Sequence, residues 1–440
     1  MAIQNVKGTH DIVGVDANDF SYVENLLQSI AELFAYEEAR IPIMEYTEVF
    51  QRGVGNGSDI VRKEMYTFKD KADRSITLRP EFTAGIVRMA VQNKLFFTHE
   101  LPYKCYYFGP AFRYERPQLG RYRQFHQFGV ESFGNISAAN VVEVISMAYI
   151  MLQTLNLENV KIRINTLGDE ESRNNYREAL KGYFALHLDE MCDDCKERFK
   201  LNPLRILDCK VPEDQEIIKD APLMNRYLND ASISYFNEVL TLLEELEIPY
   251  EVDPTLVRGL DYYSGVVFEF EYKSQKGHDY GAIGGGGAYL KLVKELGGPD
   301  LPGIGFSFGL ERLVSVLKDD ELLPDNVQKL DFYVAPLGEK MKAHGLAISN
   351  LLRLNGFTVD MCFDDVKVAN MIKRADRKNA RFMVIIGEEE AEKNIVIIKD
   401  LHQKVQYEVA SDKLETEAIR LFNEECECAN CQEQKELEDR

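Results

Sequence analysis

"FRYERPQLGRYRQFHQFGVE", Phe112–Glu131, is the stretch from which the rest of the chain can be read. "AFRYE" and "QFHQFGVE" flank "RPQLGRYR", in which Pro117 and Gly120 are turn residues, so the stretch reads as a β-hairpin. Strand alternation puts Phe125, Gln127, Gly129 and Glu131 on one face and His126, Phe128 and Val130 on the other. Arg113 and Glu115 share a face of the first strand by the same rule. One surface therefore presents guanidinium, amide and carboxylate groups together. Arg113, Arg116, Arg121 and Arg123 are gathered here in a chain of formal charge −21, with 52 Lys+Arg against 73 Asp+Glu. An acidic protein repels polyanions in general, so a local cluster of arginines points to a site for one.

A solvated hairpin with a charged edge would look similar in isolation. Three further stretches favour a binding surface. In "TLRPEFTAG", read as extended, Glu81 and Thr83 fall on one face and offer acceptors to an ammonium group. In "LVRGLDYYSG", Arg258 precedes a bend followed by Asp261, Tyr262 and Tyr263. In "GIGFSFGLERL", glycines permit close backbone approach before a helix that carries Arg312. "GVGNGS" at Gly53 follows no strand–helix unit, and no G-x-x-x-x-G-K-[ST] occurs. A nucleotide would thus be held by arginines on an antiparallel sheet.

The chain has 440 residues, enough for two or three domains, with 45% hydrophobic and 28% charged residues, as in globular proteins. Phe20, Val23, Leu27, Ile30, Ala31 and Phe34 lie at helical spacing, and Pro42 starts an extended stretch, "IPIMEYTEVF". From Lys63 to Glu131, strand-like runs without intervening helices predict an antiparallel sheet. Ala138–Leu155 reads as an amphipathic helix. Residues of about 168–253 are mostly helical and charged, an expected insertion before strand-like sequence resumes. Beyond "KDDELLPDNVQKLD" the order becomes βαβαβ, predicting a separate, largely parallel α/β domain. The division expected is 1–325, 329–423 and an acidic, Cys-containing tail, 424–440.

"MAIQNVKGTHDIVG" lacks an apolar leader core, and Val144–Leu152 is too short to cross a bilayer. The eight cysteines do not suggest a disulfide framework, so a reducing, cytoplasmic compartment is expected. Cys192-x2-Cys195 and Cys426-x-Cys428-x2-Cys431 are spaced like metal ligands. Neither supplies the four that a structural zinc needs, so no metal site is expected.

"AYEEARIPIMEYTEVF", "GPAFRYERPQLGRYRQFHQFGVE" and "GIGFSFGLERL" resemble, in this order, the three motifs of the class II aminoacyl-tRNA synthetases. "LVRGLDYYSGVVFEF", "RGVGNGSDIVRKEMYTFKD" and "NPLRILDCK" are similar to stretches of the histidyl-tRNA synthetases, in their bacterial form. The likeness runs to about Phe422. It implies an α+β class II synthetase fold: an antiparallel sheet with flanking helices and a helical insertion, dimerised through the first motif, plus a C-terminal α/β anticodon-binding domain. It implies activation of L-histidine by ATP with Mg²⁺, then transfer to the 3′ end of tRNA-His. Glu81, Thr83 and Gln127 would hold the ammonium, and Glu131 and Tyr263 the imidazole. Phe82, Tyr262 and Tyr289 would complete the histidine pocket. Arg113 and Arg258 would be the catalytic cations, with Arg312 on the γ-phosphate, Phe125 on adenine and Glu115 also in the ATP site. Arg116 and Gln118 would meet the acceptor end of the tRNA, and Lys373, Arg374, Arg377 and Lys378 the anticodon region.

Two places depart from the family pattern. Phe82 stands where L-R-P-E-G-T has glycine, and "GAYLKL", Gly287–Leu292, stands where the family has G-R-Y-D-G-L or similar. A non-catalytic paralogue serving as a regulatory subunit in histidine biosynthesis is the alternative reading. The retained arginines and the C-terminal domain favour the enzyme. Attack by a histidine carboxylate on the α-phosphorus needs no general base, since that group is already ionised at neutral pH. It needs two anions aligned and the charge developing on phosphorus stabilised, which arginines can do.

Overall fold

The structure, a computed structural model, describes residues 3–55, 57–116, 120–324 and 330–423. The chain divides into two compact units, Met1–Pro324 and Asp325–Arg440. In the first unit the strands are β1 (Glu37–Glu38), β2 (Met44–Tyr46), β3 (Tyr66–Lys69), β4 (Ser75–Leu78), β5 (Tyr103–Phe112) and β6 (Gln124–Phe133). They continue with β7 (Lys161–Thr166), β8 (Tyr250–Val252), β9 (Val266–Lys273), β10 (Asp279–Tyr289) and β11 (Gly303–Gly309). Eight of these make one sheet in the order β1-β5-β6-β11-β10-β9-β7-β8. It is antiparallel except at its edges, where β1–β5 and β7–β8 run parallel.

The hairpin forms as expected, with Phe112 opposite Gln124 and Cys105 opposite Glu131. The alternation in its second strand sets the two sides of the sheet. Phe128 and Val130 enter a core with Val141, Ile145 and Leu152 of the helix Ala138–Thr154, Val23 and Leu27 of the helix Val15–Leu33, and Leu313 of the helix Leu310–Asp319. Ser137 caps the central helix by accepting from the Asn140 N–H. The opposite face of the sheet holds the site described below.

Several expectations are corrected. The run from Lys63 to Glu131 is not one sheet: β2, β3 and β4 form a separate three-stranded sheet, and the helix Thr83–Gln92 intervenes before β5. "TLRPEFTAG" is therefore extended only to its middle. The Glu81 carboxylate accepts from the backbone N–H groups of Thr83 (2.8 Å) and Ala84 (2.9 Å), two of the donors that a helix start leaves unpaired. "TEVF" likewise opens a helix, Thr47–Gly53. The inserted segment packs into both cores of the first unit. Tyr176, Leu180, Phe184 and Cys195 share a core with Phe82, Tyr107 and Tyr263, and the helix Asp230–Glu245 packs in the first core. The premise that Cys192 and Cys195 lack further ligands also fails, because the fold brings Cys209 and Asp214 to them.

The second unit holds β12 (Leu330–Pro336), β13 (Val359–Met361), β14 (Ala380–Ile386), β15 (Ile395–Asp400) and β16 (Gln406–Ala410), in the order β13-β12-β14-β15-β16. The first three strands are parallel and the last two add an antiparallel hairpin. The helices Lys342–Leu354 and Val368–Arg377 make the crossovers. Among the described residues no helix is long and apolar enough to cross a membrane.

Candidate active site

A cavity of about 420 Å³ opens on the sheet face opposite the helical core. Glu81, Phe82, Thr83, Arg113, Glu115, Phe125, Gln127, Glu131, Arg258, Tyr262, Tyr263 and Arg312 all line it. These residues come from four separated stretches. The fold thus brings together nearly all the residues assigned to histidine and ATP.

Glu131 lies at the bottom of the cavity, 1% exposed. Its carboxylate accepts from the hydroxyls of Thr83 (2.7 Å), Tyr289 (2.6 Å) and Tyr107 (3.2 Å). Burial holds both tyrosines well above the ordinary phenol range, so they remain protonated donors. Burial also pushes Glu131 up to about 7, although the Tyr289 and Thr83 hydrogen bonds pull the other way. Tyr289 is thus within "GAYLKL" yet reaches the pocket floor, where it acts on Glu131. Burial raises Glu81 too, although the N–H groups of the helix it caps oppose this.

Phe82 occupies the position of a family glycine by packing into the wall. Its ring stacks on Tyr107 with centroids 4.6 Å apart, and the Arg79 guanidinium lies 3.8 Å over its other face. Tyr107, which donates to Glu131, is absent from the sequence-based site. The signal was available, since pairing "YKCYYFGPAF" with "QFHQFGVESF" across the turn puts Tyr107 opposite Gly129, on the Glu131 face.

The cations line the same cavity. Arg113 donates to the Pro80 carbonyl (2.9 Å) and lies 5.1 Å over the Phe125 ring. Arg258 pairs with Glu269, another residue that sequence reasoning missed. Burial disfavours the Arg258 charge, but Glu269 and Tyr263 outweigh it and hold the guanidinium above its ordinary value. Arg312 donates to the Ala282 carbonyl; burial and then the neighbouring Arg121 lower it. Guanidinium groups pressed together in this way would be relieved by a polyanion. Glu311, beside Arg312, is buried rather than exposed, and accepts from the His126 backbone N–H (2.8 Å). It ties the strand–helix junction to the hairpin.

The glycine run 284–287 has a steric cause. A Cβ at Gly285 would stand 2.8 Å from an Arg258 guanidinium nitrogen and 2.7 Å from the Phe268 carbonyl. A Cβ at Gly287 would lie 3.0 Å from the Tyr263 ring. Bare backbone on this strand therefore lets Arg258 and Tyr263 lie flat on the sheet. Gly285→Ala is expected to destabilise the chain by about 1–3 kcal/mol, the usual cost of overpacking. Urea unfolding should show that loss together with a raised KM for ATP.

Arg116 is exposed at the hairpin tip, and Gln118 lies outside the described residues. In the second unit, Arg374 pairs with Asp364 (2.7 Å) and Lys378 with Asp360 (2.5 Å). Lys373 and Arg377 are exposed on the same helix and form no ion pair among the described residues. Arg381 does not join this basic face: it donates to the Leu421 carbonyl (2.9 Å) and stacks on Phe382 and Phe422, holding the helix 414–423.

Residues 8–313 match the family described as histidyl-tRNA synthetase. The chain belongs to the histidyl-tRNA synthetase family. Residues 331–421 match the family described as anticodon binding domain. The histidine--tRNA ligase of Bacillus subtilis (strain 168) is 44% identical over 407 residues, covering 92% of this chain and 96% of the relative. That of Lactiplantibacillus plantarum (strain ATCC BAA-793 / NCIMB 8826 / WCFS1) is 45% identical over 425 residues, covering 96% and 100%. Among solved structures, apo histidyl-tRNA synthetase of S. aureus superposes with a TM-score of 0.80 at 36% identity, covering 94% of this chain and 99% of that one. The histidyl-tRNA synthetase fold thus extends across both units, as the α+β reading expected.

Proposed function

We propose that the chain is a histidine--tRNA ligase that uses this cavity to join L-histidine to AMP and then passes the histidyl group to the 3′ end of tRNA-His. The observation that carries this reading is the buried Glu131 with its hydroxyl donors, in one cavity with Arg113, Arg258 and Arg312. Glu131 and Tyr263 receive the imidazole, and Glu81, Thr83 and Gln127 the ammonium, with Phe82, Tyr262 and Tyr289 forming the pocket around them. Phe125 stacks on adenine. Arg113 and Arg258 orient the α-phosphate and the attacking carboxylate, and Arg312 takes the γ-phosphate. Glu115 and Glu269 line the same space and are oxygen donors of the kind that suits Mg²⁺, which would neutralise phosphate charge. The protein works in the cytoplasm as a homodimer joined through its first motif.

Arg116 and Gln118 meet the acceptor end of the tRNA, and Lys373, Arg374, Arg377 and Lys378 contact phosphates near the anticodon. Lys373 and Arg377 are the most available of the four. Reversing both to Glu is expected to raise the KM for tRNA-His and flatten its salt dependence by about one logarithmic unit of slope per lost phosphate contact. Histidine-dependent ATP–pyrophosphate exchange should be unchanged. Equal losses in exchange and charging would remove this helix from the tRNA interface. The regulatory-subunit alternative has less support, given ligase relatives at 44–45% identity that span both units. Histidine-dependent pyrophosphate exchange by the purified chain separates the two readings.

A further inference from the structure

The inserted segment contains a cluster that the proposed reaction does not use. Cys192 caps the helix Asp193–Leu201, and Cys195 lies in its first turn. Cys209 follows the short helix Pro203–Asp208, and Asp214 opens the helix Pro212–Ile218. One ligand atom from each of these four residues lies within 4.8 Å of every other. The Sγ atoms of Cys192 and Cys209 are 3.9 Å apart. Zinc–sulfur bonds of about 2.3 Å in a tetrahedron put sulfurs about 3.8 Å apart. The spacing thus fits two ligands of one ion.

The chemistry of the surroundings points the same way. Asp214 is 0% exposed, and Cys195 and Cys209 are buried beside it. Its carboxylate meets the Cys192 N–H (3.0 Å) and the Cys209 thiol (3.1 Å). Among the described residues no Lys, Arg or His forms an ion pair with it. A buried carboxylate among thiols needs a compensating positive charge, and a dication at their centre would supply it. The Val211 N–H already points at Cys209 Sγ (3.5 Å), a contact that supports a thiolate ligand. Three sulfurs and one oxygen select a soft, four-coordinate ion over Mg²⁺ or Ca²⁺.

We propose that Cys192, Cys195, Cys209 and Asp214 bind one structural Zn²⁺. Binding would release the thiol protons and leave three thiolates and a carboxylate around the ion. The ion would close the loop that contains Pro203–Asp208. Arg205, in that loop, donates to the Arg258 carbonyl (2.9 Å) and to Asp208 (2.7 Å), and it lines the cavity. The zinc would thus brace the backbone that carries Arg258, as a positioning element that never touches substrate.

The test is metal content of the full chain, purified under reducing conditions without chelator. About one zinc per chain is expected from a single closed site. Cys426, Cys428 and Cys431 changed together to Ser should leave that stoichiometry unchanged, and Cys192→Ser/Cys195→Ser should abolish it. Should the latter variant fold poorly, Co²⁺ uptake by reduced, metal-stripped wild type gives a second readout. A thiolate charge-transfer band with tetrahedral d–d bands is expected. Absence of both zinc and Co²⁺ uptake in well-folded wild type would overturn the site, as would zinc lost with the tail cysteines. Alkylation mapping that finds Cys192 and Cys209 joined as a disulfide in freshly purified protein would overturn it too.

Discussion

Glu131→Gln is expected to lower kcat/KM for histidine in ATP–pyrophosphate exchange on the order of 10⁴-fold, the scale on which a buried hydrogen-bonding site rejects a mismatched partner. The reason lies in the donors around it. Thr83, Tyr107 and Tyr289 all present hydroxyls to this carboxylate, and in the proposed pocket the histidine ring would bring another N–H. An amide turns one acceptor oxygen into a donor and leaves some of these groups facing donor to donor. Tyr289→Phe should cost far less, because it removes one donor and leaves the acceptor in place. Near-wild-type exchange in the Gln variant would remove Glu131 from the pocket.

The same substitution carries a pH signature of opposite sign for stability. Glu131 is raised in the fold to about 7 from 4.5. Between these values the folded state holds a proton that the unfolded state has lost, so this group's contribution to stability falls as pH rises and is fully lost above about 7. The difference amounts to about 3 kcal/mol at 1.36 kcal/mol per unit. Urea unfolding at pH 5 and pH 8 should show the wild type losing ground to Glu131→Gln as pH rises. An unchanged difference between the two chains would mean that the carboxylate is not held in this way.

Arg258 should show the second large effect. If Arg258 faces the α-phosphate as proposed, Arg258→Gln removes a fixed cation from the place where charge would build, and a loss of about 10²–10³ in kcat is expected. The single change also leaves the partly buried Glu269 without its partner, which lowers stability as well. Arg258→Gln/Glu269→Gln removes both charges, so stability should recover, while exchange should stay low because neither the cation nor the proposed Mg²⁺ donor is restored. Exchange that recovers with stability would reduce Arg258 to a structural role.

The hairpin was legible because strand alternation is a strict rule, and it sorted Phe125, Gln127 and Glu131 from His126, Phe128 and Val130 without help from the rest of the chain. The same local logic failed at "TLRPEFTAG". Glu81 turns back to cap the helix that follows, and alternation carries no information about a strand that has already ended. Arg258 and Arg312 could be picked out by residue type and resemblance, but their ion-pair and carbonyl partners could not. Glu269 lies on β9 and Ala282 on β10. Cys209 and Asp214 were overlooked for a similar reason. Fourteen and nineteen positions separate them from Cys195, and only the packing of three short helices brings the four side chains to one point.

On the proposed reading, one cavity on the sheet binds histidine beside ATP and passes the product to RNA. The decisive experiment is incubation of the purified chain with tRNA-His, labelled histidine and ATP. Label is expected on the 3′ end of that tRNA, dependent on ATP and accompanied by pyrophosphate. A well-folded preparation that leaves the tRNA unlabelled under these conditions would contradict it.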